Sequence, residues 1–357
     1  GGGAPDAGGG ECPGRRPYHL LLTAESSIYQ LWQSRLMYYH YQKQKRATKC
    51  NDLGGFTRLV ARAKHHVDVG PDEVPTLHVK GMSMAEVQKF SWYTVLNRPL
   101  SVLQWLASAE AQQRVTEDYV FIAETDHVFL RPIPNTATPE APVAFHFGYM
   151  NPNPAFAPFI RRMWPEGGDQ GYLAVQPIGP SPLIIHKAQL QQVAPEWNAL
   201  ARKLKLDPEA SKALGWVTEM WGYALAAAKV GIKHTVNARF QTEAAHNSPG
   251  LTEHFTDGVG IFHFTYGIEY MLDGTPCPPW NIGQWSLDKR HYGNEYPPKD
   301  LAGPPAGANP AATFLWKTWI EAFNGIPDWP PTRAMGTHGW RRNQVNEKEL
   351  AANEVAA

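Results

Sequence analysis

A buried strand that ends in acidic residues constrains this chain more than any other feature. The run Tyr119–Ala123 is short, apolar, and rich in β-branched and aromatic residues, which is typical of a strand covered on both faces of a parallel sheet. Glu124, Thr125, Asp126 and His127 follow it directly. Open α/β sheets bind ligands beyond the carboxyl ends of their strands, so we expect these polar side chains to line a site.

The two carboxylates at this strand end indicate a bound cation. Glu124 and Asp126 would repel each other unless a positive charge neutralised them. Oxygen ligands with an imidazole nearby suit a divalent ion such as Mn²⁺. A strand that ends in a solvated acidic turn would carry the same residues, so the spacing alone leaves both interpretations open.

The composition is that of a charge-balanced globular protein. The 357 residues include 33 basic and 33 acidic ones, so no net field favours nucleic acid or an acidic membrane. The 13 Trp and 14 Tyr fit an aromatic groove for sugar or peptide, and fit core packing equally well. Cys12, Cys50 and Cys277 are too few for a zinc motif. One disulfide is possible in an oxidising compartment, and the sequence does not identify its pair.

The ends of the chain differ from its middle. Residues 1–16 are Gly-rich and predict a flexible linker, residues 17–296 form the main domain, and residues 297–357 form a Pro/Gly-rich extension that packs on it or trails from it. No stretch reaches about 18 apolar residues, so we expect no membrane-spanning helix. A start without Met is compatible with a domain cut from a longer, membrane-anchored parent.

Strand-like and helical segments alternate between the two ends. Strand-like runs begin at Tyr18, Thr76, Tyr119, Pro182 and Gly260, and helical patterns lie between them. This alternation predicts an α/β fold with a central, mainly parallel sheet flanked by helices. Gly54 and Gly55 predict a turn, and the Pro- and Gly-rich residues 132–182 predict long loops over the site. The chain has no G-x-G-x-x-G or Walker A loop, which argues against dinucleotide and P-loop nucleotide binding.

Eight motifs, spaced along the chain, resemble one family. They are LLTAESSIYQLWQSRLMYYHYQKQK, GGFTRLV, VLNRPLSVLQWL, AETDHVFLRPIPN, PIGPSPLII, GWVTEMWGYALA, HFTYGIEY and IGQWSLDKR. Together they are similar to the peptidyl-hydroxyproline arabinosyltransferases of plants and green algae. The resemblance implies a GT-A-like glycosyltransferase fold in residues 17–296 and a type II membrane protein of the Golgi lumen. It also implies UDP-β-L-arabinofuranose as donor, hydroxyproline-rich peptides or cell-wall glycoproteins as acceptor, and retention at the anomeric carbon.

The resemblance assigns the metal site. Glu124 and Asp126 occupy the place of the family's D-x-D motif, with Glu as the first acid. Asp126 is the expected metal ligand, whereas Glu124 contacts either the metal or the ribose. His263, in His-Phe-Thr-Tyr-Gly, resembles the late histidine that completes the metal shell. His127 is the competing ligand, but neighbouring residues on a strand point to opposite faces.

Further polar residues are candidates for donor binding or catalysis. Glu219 lies in a predicted buried helix, where a carboxylate needs a partner, and such enzymes commonly have an acid there. Glu219 and Asp169 are the candidate catalytic nucleophiles. The candidate donor-binding residues are Thr23, Ala24, Arg35, Asn97, Arg98, Glu124 and Lys289, with Arg58 and Arg290 as weaker ones. A capped loop, a core residue or a solvated charge is the alternative explanation for each.

The leading hypothesis is a metal-dependent, retaining arabinosyltransferase. One alternative keeps the fold and makes the chain a peptidyl-serine α-galactosyltransferase that uses UDP-galactose. Another is a non-catalytic module that binds Pro-rich peptides, against which the acidic and histidine residues argue. One of two aromatic-rich loops, at residues 145–164 and 280–296, is expected to hold the acceptor, because aromatic rings stack on the pyrrolidine faces of a polyproline II helix.

Overall fold

The computed structural model describes residues 12–62, 73–279 and 281–330. Residues 1–11 of the predicted linker and 331–357 of the predicted extension lie outside this part. The strands are β1 (Tyr18–Glu25), β2 (Leu53–Arg62), β3 (Thr76–Lys80), β4 (Tyr119–Ala123), β5 (His127–Phe129), β6 (Val143–His146), β7 (Ile178–His186), β8 (Thr235–Val236), β9 (Gln241–Thr242), β10 (Ile261–His263), β11 (Ile268–Tyr270) and β12 (Trp285–Leu287). The helices are α1 (Ile28–Ala47), α2 (Met84–Lys89), α3 (Asn97–Ala107), α4 (Ala109–Arg114), α5 (Ala157–Met163), α6 (Lys187–Leu206), α7 (Pro208–Leu214), α8 (Thr218–Lys229) and α9 (Pro310–Gly325).

The central sheet has the strand order β3-β2-β1-β4-β7-β6-β8. Neighbours pair in parallel except at β7, which runs antiparallel to both β4 and β6. Strand β4 is buried at every residue, and β1 is buried at every residue except the last. This is expected for strands that are covered on both faces. The predicted α/β fold, with a central, mainly parallel sheet flanked by helices, is confirmed.

The register of β1 against β4 fixes the location of the site. Leu22 pairs with Ala123, so the last residues of β1 emerge beside Glu124. Helix α1 begins immediately after β1, where the Ser27 side chain accepts a hydrogen bond from the backbone N–H of Gln30 at 3.2 Å. The carboxyl edge of the sheet and the first turns of α1 therefore face one space.

A small second sheet brings a distant residue to this edge. Strand β10 lies between β5 and β9, and its antiparallel pairing with β5 sets His263 opposite His127. The backbone N–H of Phe264 donates to the carbonyl oxygen of Asp126 at 3.1 Å. Backbone hydrogen bonds thus hold the segment around His263 beside Asp126, which is far from it in the chain.

The described part of the C-terminal extension packs on the main domain. Helix α9 contributes Leu315 and Trp319 to a core cluster that also contains Trp32 and Leu36 of α1. The indole N–H of Trp32 donates to the carbonyl oxygen of Tyr292 at 3.0 Å. The ranges that the structure describes contain no helix long and apolar enough to cross a membrane.

The cysteine pairing that the sequence left open is Cys12 with Cys50, and Cys277 is a buried free thiol. The pair ties the segment before β1 to the segment before β2.

The turn predicted at Gly54 and Gly55 is wrong, because both residues lie inside β2. A Cβ atom on Gly54 would lie 2.3 Å from a carboxylate oxygen of Glu117, and one on Gly55 would lie 2.4 Å from Nδ1 of His19. Glycine serves here to let a neighbouring strand and side chain approach closely.

We predict that Gly222→Ala destabilises the protein. Gly222 lies in α8, and a Cβ atom there would lie 2.7 Å from both Cα and Cβ of Ala201 in α6. The gain in helix propensity is about 1 kcal/mol, and we expect helix separation to outweigh it, lowering the free energy of unfolding by about 1–3 kcal/mol. Denaturant titration measures the change. The control is Gly148→Ala, whose Cβ would meet one side-chain atom at 4.0 Å; equal stabilities of the two variants would contradict the close packing.

Candidate active site

A cleft of about 390 Å³ opens at the carboxyl edge of the central sheet. Its walls come from the ends of β1 and β4, the first turns of α1 and α3, and three later segments at Trp216, Thr265 and Lys289. The lining residues predicted from sequence are Thr23, Ala24, Asn97, Arg98, Glu124, Asp126 and Lys289. The structure therefore gathers most of the candidate donor-binding residues around one space.

Asp126 lines this cleft and contacts the buried His263, which is outside the lining. Oδ2 of Asp126 lies 3.1 Å from Nε2 of His263, whose Nδ1 lies 3.0 Å from Oε1 of Glu243. Burial alone would lower the pKa of His263, but the carboxylates of Asp126, Glu243 and Glu124 outweigh it and raise that pKa to about 10. Burial would raise the pKa of Asp126, whereas Lys289 and His263 hold it well below its usual range. Without a metal, an ionised carboxylate therefore faces an imidazolium.

Two basic side chains, Lys289 and Arg98, pair with the carboxylates in and behind the cleft. The ammonium group of Lys289 contacts Oδ2 of Asp126. The guanidinium of Arg98 lies between two carboxylates, 3.0 Å from Oε1 of Glu124 and 3.0 Å from Oε2 of Glu219. The carboxylate repulsion expected from the sequence is thus balanced in this structure by protein cations.

The donor set fits a divalent metal ion. Ligand atoms of Glu124, Asp126, His127 and His263 all lie within 4.8 Å of one another. Glu243 binds Nδ1 of His263, which directs Nε2 toward Asp126, as a carboxylate commonly does for a metal-bound histidine. Asp126 and His263 would hold the ion, and Glu124 lies within reach on the same side.

His127 is buried in this cluster, contrary to the sequence argument that placed it on the opposite face from Asp126. Asp126 precedes β5 in a turn, so the alternation of side chains along a strand does not apply to this pair. The Nδ1 atom of His127 accepts from the backbone N–H of Glu124 at 3.4 Å. Nε2 then carries the proton in the neutral ring and is not a ligand in that tautomer.

Glu219 is fully buried behind Arg98 and does not line the cleft. Its Oε1 accepts from the indole N–H of Trp197 at 3.0 Å, and its Oε2 accepts from Arg98. Burial raises the pKa of Glu219 to about 7 against the opposing effect of Arg98. Since both of its oxygens are engaged, Glu219 orients Arg98, and the geometry does not offer it as a nucleophile.

Asp169 and Arg35 are also not brought to the cleft. Asp169 is 76% exposed and pairs with Arg161 at 2.5 Å. Arg35 is buried, with Nε 2.5 Å from Glu73, and donates to the carbonyl oxygen of Pro327. On α1 the cleft is lined by Gln30 and Gln33, and a residue two positions further along a helix points to the other side.

The two weaker candidates also lie elsewhere. Arg58 is buried and donates to the hydroxyl of Thr76 at 3.0 Å. Arg290 lines a second cavity, described below.

Several residues in the cleft or next to it were missed from the sequence. Glu25 ends β1 and accepts from the side-chain amide of Asn97 at 3.1 Å, and the rule that selected Glu124 at a strand end would have found it. Trp216 is 74% exposed at the cleft, and no sequence signal separates it from a core tryptophan. Glu243 reaches His263 only through the pairing of β9 with β10.

Two family models match the chain. The model described as the hydroxyproline O-arabinosyltransferase family N-terminal domain matches residues 18–236, and the C-terminal domain model of the same family matches residues 260–330.

Individual proteins match over most of the chain. The hydroxyproline O-arabinosyltransferase RDN2 of Medicago truncatula is 40% identical over 316 residues, which cover 88% of this chain and 82% of that protein. A peptidyl serine alpha-galactosyltransferase of Arabidopsis thaliana is 25% identical over 289 residues, 77% of this chain and 32% of that protein. A solved galactosyltransferase, LgtC in complex with donor and acceptor sugar analogues, is 11% identical with a TM-score of 0.39, covering 87% of this chain and 97% of that one.

We predict that Glu219 makes the stability of the protein fall between about pH 4.5 and pH 7. Its pKa rises from 4.5 to about 7 on folding, so the folded state binds more protons than the unfolded state in this range. Stability is then highest below the unfolded pKa and decreases as pH rises through the folded one, by up to about 3 kcal/mol.

Glu219→Gln should remove this part of the pH dependence, because Gln does not titrate. Denaturant titrations at several pH values measure it, with Glu140→Gln as the exposed control. Parallel stability curves for wild type and Glu219→Gln would contradict the raised pKa.

Proposed function

Because the chain belongs to the hydroxyproline O-arabinosyltransferase family, we propose that it transfers L-arabinofuranose from UDP-β-L-arabinofuranose to the hydroxyl group of peptidyl hydroxyproline. The observation that carries the proposal is the Asp126–His263 pair, with Glu243 behind it, at the end of β4. A sugar-nucleotide transferase needs charged groups at this place to hold a diphosphate and release it.

The cleft offers a place for each part of the donor. The uridine would lie against Thr23 and Ala24 at the end of β1, where the sheet edge supplies backbone groups. The diphosphate would lie near Asp126 and His263, which we propose hold a divalent ion such as Mn²⁺. Such an ion, when bound, neutralises the charge of the departing diphosphate. Lys289 and Arg98 supply further positive charge at the same place.

The placement of the acids supports direct transfer on one face of the sugar. The side chain of Glu219 is fully buried and that of Asp169 lies away from the cleft lining, so neither candidate nucleophile faces the space for the donor. We propose that the bond from the anomeric carbon to UDP breaks while the hydroxyproline oxygen bonds to the same face. The acceptor proton passes to the departing diphosphate, and the configuration is retained without a covalent enzyme intermediate.

The two alternatives have weaker support. Identity to the peptidyl serine alpha-galactosyltransferase is 25%, against 40% for the arabinosyltransferase. A non-catalytic peptide-binding module would not need the Asp126–His263–Glu243 arrangement. We further propose that the protein works in the Golgi lumen; the Cys12–Cys50 disulfide suits an oxidising compartment.

We predict that Asp126→Asn lowers transfer roughly 10²-fold or more, because it removes a negative charge that would hold the metal and the diphosphate in place. The assay measures transfer from a panel of UDP-sugars to a hydroxyproline peptide with Mn²⁺ present. Asp169→Asn is the matched control, since it makes the same chemical change at an exposed site outside the cleft. Wild-type turnover in Asp126→Asn would overturn the assignment, and preference for UDP-galactose with a serine peptide would favour the alternative.

We predict that Mn²⁺ binds about tenfold more tightly for each pH unit gained between pH 7 and pH 9. His263, with a pKa of about 10 in the absence of metal, must lose one proton to become a ligand. Calorimetry across this range measures the slope, and His263→Gln should flatten it. A pH-independent affinity in the wild-type protein would remove His263 from the metal shell.

A further inference from the structure

A second cavity of about 370 Å³ lies next to the cleft. His263 links the two spaces, because its Nε2 lies 3.1 Å from Asp126, which lines the cleft, and its Nδ1 lies 3.0 Å from Glu243, which lines the second cavity. Thr265 lines the cleft and Tyr266 lines the second cavity. Consecutive Cα atoms are about 3.8 Å apart, so a ligand of a few residues can reach from one space into the other.

The charges around the second cavity favour a cation. Its lining carries the carboxylates of Glu243, Glu269 and Asp288 and the guanidinium of Arg290. Arg290 is already held by both oxygens of Asp288, at 2.8 and 2.9 Å, and by the carbonyl oxygen of Thr265. The lining therefore has three carboxylates and one guanidinium, which is committed to Asp288. Glu243 also contacts His263 at 3.0 Å, and burial raises the pKa of Glu269 to about 7. Hydrogen-bond acceptors thus outnumber cationic donors around the cavity.

A half-buried histidine adds a buried acceptor atom. Nδ1 of His246 lies 3.2 Å from the carbonyl oxygen of Gly267, so it carries the proton in the neutral ring. Nε2 of His246 is then an acceptor, and it is buried with no hydrogen-bond partner among the described residues. A ligand that donates hydrogen bonds would satisfy it.

The remaining wall is apolar and open. Tyr266 is 45% exposed and Ile282 is 52% exposed, and Pro279 lies beside them in the lining. The methylene stem of a long basic side chain packs well on such surfaces while its charged end reaches polar groups.

A metal ion is the less favoured occupant. Ligand atoms of Glu269, Asp288 and His291 lie within 4.8 Å of one another. However, Glu269 accepts from the backbone N–H of Gly283 at 2.8 Å and from the hydroxyl of Ser286 at 2.7 Å. Asp288 is bound by Arg290, and Nδ1 of His291 lies 3.3 Å from the same hydroxyl. Because these three groups already have partners, they are not arranged as a set of ligands around one ion. An ammonium or guanidinium group needs no such set and can donate to the unpartnered Nε2 of His246.

We propose that the second cavity binds a lysine or arginine side chain of the acceptor peptide, close in sequence to the hydroxyproline that receives the sugar. The proposal rests on the proposed function, which makes a hydroxyproline peptide the acceptor. A polyproline II segment rises about 3.1 Å per residue, so the basic residue lies within about three positions of the modified one. The cavity then selects among acceptors by charge.

Direct binding tests the proposal independently of turnover. Peptides with one hydroxyproline carry lysine, norleucine or glutamate at each of three positions on either side, and calorimetry in the presence of UDP gives their dissociation constants. We expect lysine to bind about tenfold more tightly than norleucine at one position, a difference of about 1.4 kcal/mol, and glutamate to bind more weakly. Equal affinities for all three residues at every position would overturn the proposal.

A positive charge introduced into the second cavity tests whether the preference for lysine arises there. Asn247 is exposed and lines the second cavity, and Asn247→Lys should abolish the preference for lysine over norleucine. Gln113→Lys is the matched control, because it adds the same charge at an exposed position of α4 outside both linings, and it should keep the preference. UDP affinity verifies that each variant is folded.

The preference surviving in Asn247→Lys would place the basic residue elsewhere and overturn the assignment. The transfer assay separates this proposal from the proposed function. A lysine preference without arabinose transfer contradicts the proposed function alone, and transfer without the preference contradicts this inference alone.

Discussion

The contact between Asp126 and His263 is the interaction on which the site depends. It exists because the antiparallel pairing of β5 with β10 sets His263 opposite His127, one residue from Asp126. Each group then changes the other, since the carboxylate favours the charged imidazole and the imidazolium favours the charged carboxylate. Glu243 fixes the ring from behind. His263 would hold a divalent ion only after losing its proton, so metal binding would be coupled to proton release.

Two buried carboxyl groups near the cleft have pKa values that are shifted in opposite directions. The pKa of Asp126 is held well below its usual range by Lys289 and His263 against the effect of burial, whereas burial raises that of Glu219 to about 7 against Arg98. The difference lies in the partners, because Glu219 shares its one cation with Glu124. Asp126 is therefore suited to hold a cation at neutral pH, and Glu219 to orient Arg98 from the core.

The two cavities differ in the charged side chains that line them. The cleft combines carboxylates with Arg98 and Lys289, as a site for a diphosphate and its counter-ion would. The second cavity has an excess of acceptors and an apolar wall. His263 contacts Asp126 of the cleft and Glu243 of the second cavity. A change in the charge of His263 would therefore change the electrostatic potential in both cavities.

The sequence alone determined the sheet, the acidic edge and the family. The apolar run before Glu124 and Asp126 predicted a buried strand with polar groups at its end, because it is short and rich in β-branched and aromatic residues. The motif around His263 identified the histidine, but only the pairing of β10 with β5 brought it to Asp126. Arg35, Asp169 and Glu219 lie outside the lining of the cleft. The direction of a side chain depends on helix phase and on packing partners such as Glu73, Arg161 and Trp197, which the sequence does not show. The local sequence pattern predicts which side chains lie at the end of a strand. Long-range packing decides which side chains from distant segments of the chain contact them.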